Sequence, residues 1–263
     1  MPAAKFLAAM FTAALASLAG AQTGQKVVDI PTRPGVTQRM IVIAPAQPQA
    51  AVVLLAGGNG GLQVYPNGSM NRGNSNFLVR SRQLFVDQGL VVAVVDAPSD
   101  RQSPPFLGGG FRQTPEHAAD LKAVIAWLRD SAKVPVWLVG TSRGTESAAY
   151  AGTQLAAAQG PDGIVLTSTI LAEPRGRPVP AMALNDIRVP VLVVHHEQDG
   201  CVLCPYSLVP SLMDKLASAP RKQLLSFRGG ENTGDPCEAL AYHGFNGLEA
   251  EVVRQMAAWM LGR

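Results

Sequence analysis

The chain has 263 residues, 47% of them hydrophobic and 16% charged, which excludes a disordered segment or a continuously membrane-embedded protein and leaves a globular chain with a large apolar interior. Lysine and arginine outnumber aspartate and glutamate only 22 to 19. No run of like charge accompanies that excess, so nucleic acid is excluded as an expected partner.

At the amino end, Lys5 precedes an apolar run over residues 6–19, and Ala19-Gly20-Ala21 offers small residues for cleavage. This pattern predicts a secretory signal peptide over residues 1–21, a mature start near Gln22, and a single domain over residues 22–263. The run is shorter than the ~20 residues that span a bilayer, and no later stretch is longer. The expected product is therefore exported, periplasmic or extracellular, with no membrane span after cleavage. Its cysteines would then meet oxidising conditions.

From Val27 onward, short runs rich in Val, Ile and Leu alternate with stretches of helical period. Strands are predicted at 27–30, 39–44 and 51–56, then at 91–96 after a helix over 77–88. The next helix, 115–131, opens on Thr114 as N-cap with Pro115 at its first position, and sets Ala118, Leu121, Val124, Ile125 and Leu128 on one face. Strands at 136–140, 164–169, 191–195 and 223–227 follow, with helices over 143–159, 206–216 and 248–261 between and after them. This alternation predicts an α/β domain with a mostly parallel sheet flanked by helices. Unbroken apolar runs such as Val91-Val92-Ala93-Val94-Val95 fit strands covered on both faces. Two Gly/Pro-rich stretches, 98–113 and 173–186, are expected loops over one face, the second too short for more than a minimal cap.

Gly140-Thr141-Ser142-Arg143-Gly144 places a G-x-S-x-G pattern where the strand at 136–140 runs into a helix. A serine there sits in a sharp strand-to-helix turn that exposes its hydroxyl above the sheet, and flanking glycines let backbone approach closely. The bare pattern is weak evidence, but its context makes Ser142 a candidate nucleophile. A serine hydroxyl needs a neighbouring base, usually a histidine held in one tautomer by a carboxylate. Of His117, His195, His196 and His243, only His243 lies between the last strand and the last helix, in the Gly-containing stretch Tyr242-His243-Gly244. For the acid, Asp199 lies just past the strand at 191–195, at the edge where sites on open α/β sheets assemble. Glu197 is the nearest rival, and Asp186 precedes the strand.

Acyl transfer also requires backbone N–H groups to hold the charge that develops on the carbonyl oxygen. Arg143 supplies one by position, and Gly58 or Asn59, in Ala56-Gly57-Gly58-Asn59-Gly60-Gly61, the second. Arg101, Arg112 and Arg143 are candidate contacts for an acidic substrate, although loop arginines are usually solvated. The cluster His195, His196, Cys201 and Cys204 has the residue types of a zinc site, but neighbouring strand histidines should point to opposite faces, and no metal is expected. A disulfide between Cys201 and Cys237 is preferred, because these residues follow the candidate acid and precede the candidate base; Cys204 remains an alternative partner for either.

With serine, acid, histidine and Gly-rich loop in that order, residues 22–263 resemble the α/β-hydrolase superfamily. They look most like small exported bacterial serine hydrolases related to dienelactone hydrolases and carboxylesterases, although dienelactone hydrolases have a cysteine where Ser142 stands. The resemblance implies an eight-stranded sheet, no metal or organic cofactor, and a small-molecule acyl substrate hydrolysed as an ester. An amidase or peptidase using the same residues, and a non-catalytic binding protein on the same fold, are the alternatives. Ala56 departs from the family, standing where many esterases carry the histidine of H-G-G-G.

Overall fold

The computed structural model describes residues 24–174 and 176–263; the expected signal peptide and the mature start at Gln22 lie outside the described residues. All eight predicted strands form. β1 (Lys26–Arg33) and β2 (Val36–Ile43) make an antiparallel hairpin, whose turn uses Gly35 at φ +72°, a conformation that glycine adopts freely. β1 runs through Pro31, which an edge strand tolerates because the missing N–H faces no partner.

The remaining strands are β3 (Ala50–Leu55), β4 (Leu90–Val95), β5 (Val136–Thr141), β6 (Gly163–Thr167), β7 (Val191–His196) and β8 (Lys222–Phe227). The sheet order is β1-β2-β4-β3-β5-β6-β7-β8. β2 meets β4 antiparallel, and every pairing from β4 onward is parallel. The carboxyl ends of β3, β5, β7 and β8 therefore share one edge, where loops from distant parts of the chain converge.

Strand residues point alternately to opposite faces, and the packing follows that period. Ala51, Val53, Leu138 and Val193 join one core with Leu121, Val124, Ile125 and Leu128 of α3 (Pro115–Ala132). Val52, Leu54, Val139 and Val194 join a second core with Val252, Val253 and Met256 of α6 (Glu249–Leu261). The sheet is thus covered on both faces.

Three predicted helices are shorter or broken. The 77–88 segment divides at Ser81 into α1 (Phe77–Arg80) and α2 (Arg82–Asp87), with Arg82 donating to the Val79 carbonyl released by the break. The 143–159 helix ends as α4 (Gly144–Gln154), where Thr153 Oγ1 donates to the Tyr150 carbonyl and competes with the backbone ladder. The 206–216 helix starts only at Val209, as α5 (Val209–Lys215), because Pro210 lacks an N–H and belongs in a first turn. Among the described residues no helix is long and apolar enough to cross a membrane. The loop over 173–186 holds, among the described residues, only short 3₁₀ turns at Val179–Ala181 and Leu184–Asp186, in line with a minimal cap.

Candidate active site

Ser142 stands between β5 and α4 with φ +52°, a left-handed backbone that costs a non-glycine residue about 1–3 kcal/mol and persists only where its surroundings enforce it. They do so here: the Ser142 N–H donates to Thr167 O of β6 at 3.0 Å. A Cβ on Gly140 would lie 2.4 Å from Gly144 O, and one on Gly144 would lie 2.0 Å from Leu55 O of β3. Both glycines of the elbow are required by close backbone contact.

Asp199 follows β7 through a turn in which its N–H donates to His196 O. Its Oδ1 accepts from Cys201 N–H at 2.9 Å, and its Oδ2 lies 2.9 Å from His243 Nδ1. Both side chains are buried. A carboxylate on Nδ1 fixes the tautomer with the proton at Nδ1 and leaves the lone pair on Nε2. His243 Nε2 has no hydrogen-bond partner among the described residues, and it borders the cavity that holds Ser142. The expected rivals for the acid lie elsewhere: Glu197 pairs with Arg228 at 2.5 Å, and Asp186 is exposed.

Several further side chains fix the histidine, among them Ser168 and Arg80, which the sequence did not single out, and His196, which it raised only as a rival base and a metal ligand. Ser168 Oγ donates to His243 O at 2.7 Å, and Arg80 Nη2 donates to Gly244 O at 2.7 Å. His196 stacks on Tyr242, with ring centroids 4.3 Å apart and 7° between planes. It also accepts from Gln198 N–H through Nδ1, so its Nε2–H donates to Gly229 O. No short-range sequence signal marks these contacts.

The cavity measures about 450 Å³ and is bordered by Ser142, His243, Arg143, Asn76 and the glycine loop from Gly57 to Gly61. The backbone N–H groups of Arg143, Gly58 and Asn59 have no acceptor among the described residues. A Cβ on Gly57 would lie 3.0 Å from Ser142 Cβ, so the loop comes within contact of Ser142 only because Gly57 lacks a side chain.

The Cys201–Cys237 disulfide forms as expected and borders the same cavity. Cys204 is buried and free, its Sγ 3.3 Å from Ser168 O. Burial pushes its thiol well above the usual range, and a protonated buried thiol is a poor nucleophile. The His195, His196, Cys201 and Cys204 grouping, weighed as a zinc site from the sequence and set aside, is not the one whose ligand atoms approach one another among the described residues: those belong to Cys201, Cys204 and His243, and Cys201 is committed to the disulfide. His195 is buried, its pKa pushed down to about 4 by desolvation.

The three loop arginines have different fates. Arg101 lies over the Phe111 ring, 4.2 Å from its centroid. Arg143 pairs with Glu173 at 2.6 Å. Arg112 is not solvated at all: it is 2% exposed, behind the glycine loop.

No family model and no curated protein matches the sequence. Solved structures do match. A cold-adapted esterase from an Arctic intertidal metagenomic library is 16% identical with a TM-score of 0.60, covering 91% of this chain and 92% of its own. Dienelactone hydrolase from Anabaena variabilis is 15% identical with a TM-score of 0.62, covering 92% and 98%. An esterase from Pyrococcus furiosus is 14% identical with a TM-score of 0.64, covering 90% and 91%. The chain has the α/β-hydrolase fold over nearly all of its described length.

Proposed function

We propose that this chain is a serine hydrolase that cleaves a small-molecule carboxylic ester through an acyl-enzyme. One observation carries the reading: a buried imidazole bonded through Nδ1 to a buried carboxylate, with Nε2 unpaired, on the wall of the cavity that holds a serine in a strained turn. Ser142 Oγ attacks the ester carbonyl while His243 Nε2 takes its proton. Asp199 holds Nδ1–H and stabilises the imidazolium. The Arg143 N–H, with that of Gly58 or Asn59, receives the oxyanion. Collapse of the tetrahedral intermediate expels the alcohol, which takes the proton from Nε2. Water, deprotonated by the same nitrogen, then releases the acid and restores the hydroxyl.

The esterases among the structural neighbours support ester over amide as the scissile bond. The disulfide supports export to an oxidising compartment. Incubation with a fluorophosphonate should label the wild type on Ser142, and Ser142→Ala and His243→Ala should lose both the label and hydrolysis of aryl esters. Faster turnover of matched aryl amides would move the assignment to an amidase. A folded wild type that is neither labelled nor active would replace it with a binding protein on this fold.

A further inference from the structure

Arg112 is among the largest fully buried side chains of the protein. It lies in the 3₁₀ turn Phe111–Gln113, which follows the glycine run Gly108–Gly110. Its Nη2 donates to Ala56 O at 2.9 Å and Gly58 O at 3.1 Å, and its Nη1 donates to Ser147 Oγ of α4 at 2.9 Å. Ser147 Oγ in turn lies 2.9 Å from His117 Nε2, a buried imidazole kept neutral with its pKa pushed down to about 3 by desolvation and the nearby guanidinium. Among the described residues no carboxylate lies within ion-pair distance of Arg112. An unpaired buried cation is expensive, and a side chain needed only to fill space here would be apolar. Burial lowers its pKa to about 10, which still leaves it charged at neutral pH.

The placement explains what the charge does. Arg112 borders a second cavity of about 740 Å³ and not the one that holds Ser142; Gly58, Asn59 and Arg143 form the wall between the two. Its fork grips carbonyls on either side of Gly57 from behind. In a trans peptide the carbonyl and the following N–H point in opposite directions, so the links 56–57 and 58–59 are fixed with their N–H groups turned away from the guanidinium. Glycines supply the close approach but no stiffness, and the gripped carbonyls provide it.

We propose that Arg112 is a positioning residue that holds the glycine loop, and with it the Asn59 N–H as the second oxyanion donor, in the geometry the transition state requires. This rests on the reading of Ser142 as nucleophile. Preorganised donors act on the transition state more than on the bound ester. Arg112→Met should therefore lower kcat by about 10- to 100-fold with KM changed less than about threefold. Affinity for a trifluoromethyl ketone, which forms a tetrahedral adduct on the serine, should fall by the same factor as kcat/KM. Arg112→Lys, which keeps the charge but loses the fork, should recover only part of kcat.

Wild-type kcat in a folded Arg112→Met protein would overturn the inference, as would equal weakening of KM and ketone affinity. If Arg112→Met does not fold, Ser147→Ala carries the test, because it frees Nη1 by loss of a single oxygen; a fall in kcat of about three- to tenfold at constant KM is expected, and no change overturns the inference. Fluorophosphonate labelling of the wild type separates the two levels. An unlabelled wild type ends the Ser142 reading, whereas a labelled wild type with indifferent Arg112 variants ends only this one.

Discussion

Leu55 O would sit 2.0 Å from a Cβ on Gly144 and Gly144 O 2.4 Å from one on Gly140, so a single methyl at either position has to push α4 off the sheet. Gly144→Ala is expected to destabilise by about 1–3 kcal/mol, the usual consequence of overpacking, and to lose the proposed esterase activity because the turn carrying Ser142 moves with the helix. A thermal melt and a rate measurement check both. The proposed acid is tested separately. Asp199→Asn would favour the wrong imidazole tautomer and should lower kcat by about 10³- to 10⁴-fold, as in serine proteases. Glu197→Gln, on a side chain tied to Arg228, should leave kcat within about twofold, a surface change; the reverse outcome would reassign the acid. That Asp199 and His243 would meet, and that His243 and Ser142 would border one cavity, was legible because local strand–turn–helix context and chain order mark these positions. Arg112 was not, because its burial depends on two glycine-rich loops far apart in sequence meeting around it, and a loop arginine carries no local sign of such an encounter.

Among the elements, α3 shows how far local chemistry reaches. Thr114 accepts from His117 N–H and Pro115 opens the helix, as read from the sequence. Thr114→Ala should cost about 1 kcal/mol, lowering Tm by about 2–4 °C for a chain of this size; an unchanged melt would show that the cap contributes nothing. The central strands β3 to β7 were legible because burial on both faces writes itself as apolar runs rich in Val, Ile and Leu, whereas the edge strands β1 and β8 are partly exposed and carry only short apolar runs. Helix ends were less so. The break at Ser81 falls in the polar stretch Arg80-Ser81-Arg82-Gln83 between two apolar patches, a spacing that a continuous amphipathic helix shows as well. The stop after Gln154 turns on a threonine hydroxyl competing for a carbonyl. Pro210 did carry the signal that the helix begins later than its apolar pattern.

For the molecule as a whole, two buried neutral histidines tie stability to pH. His195 and His117 have folded pKa values of about 4 and about 3 against an ordinary 6.5. Between those values the unfolded chain binds more protons than the folded one. Stability is therefore full above pH 6.5 and is lost as pH falls, through about 4 for His195 and about 3 for His117. Tm should drop steadily from pH 7 to pH 4, and a flat profile over that range would contradict neutral burial of these rings. The Cys201–Cys237 bridge spans 36 positions, a closure worth about 2–4 kcal/mol, and it joins the loop of Asp199 to the loop of His243. A chain folded under reducing conditions would keep the proposed nucleophile but lose the fastening between the Asp199 and His243 loops. Its catalytic competence would thus be acquired late, by oxidation, and not on leaving the ribosome. Protein prepared with dithiothreitol should hydrolyse aryl esters slowly and quicken on air or glutathione-disulfide treatment, whereas a Cys237→Ser variant should stay slow under either regime. On the proposed reading of an exported esterase, such latency would spare the producing cell's own esters until the polypeptide had been delivered elsewhere.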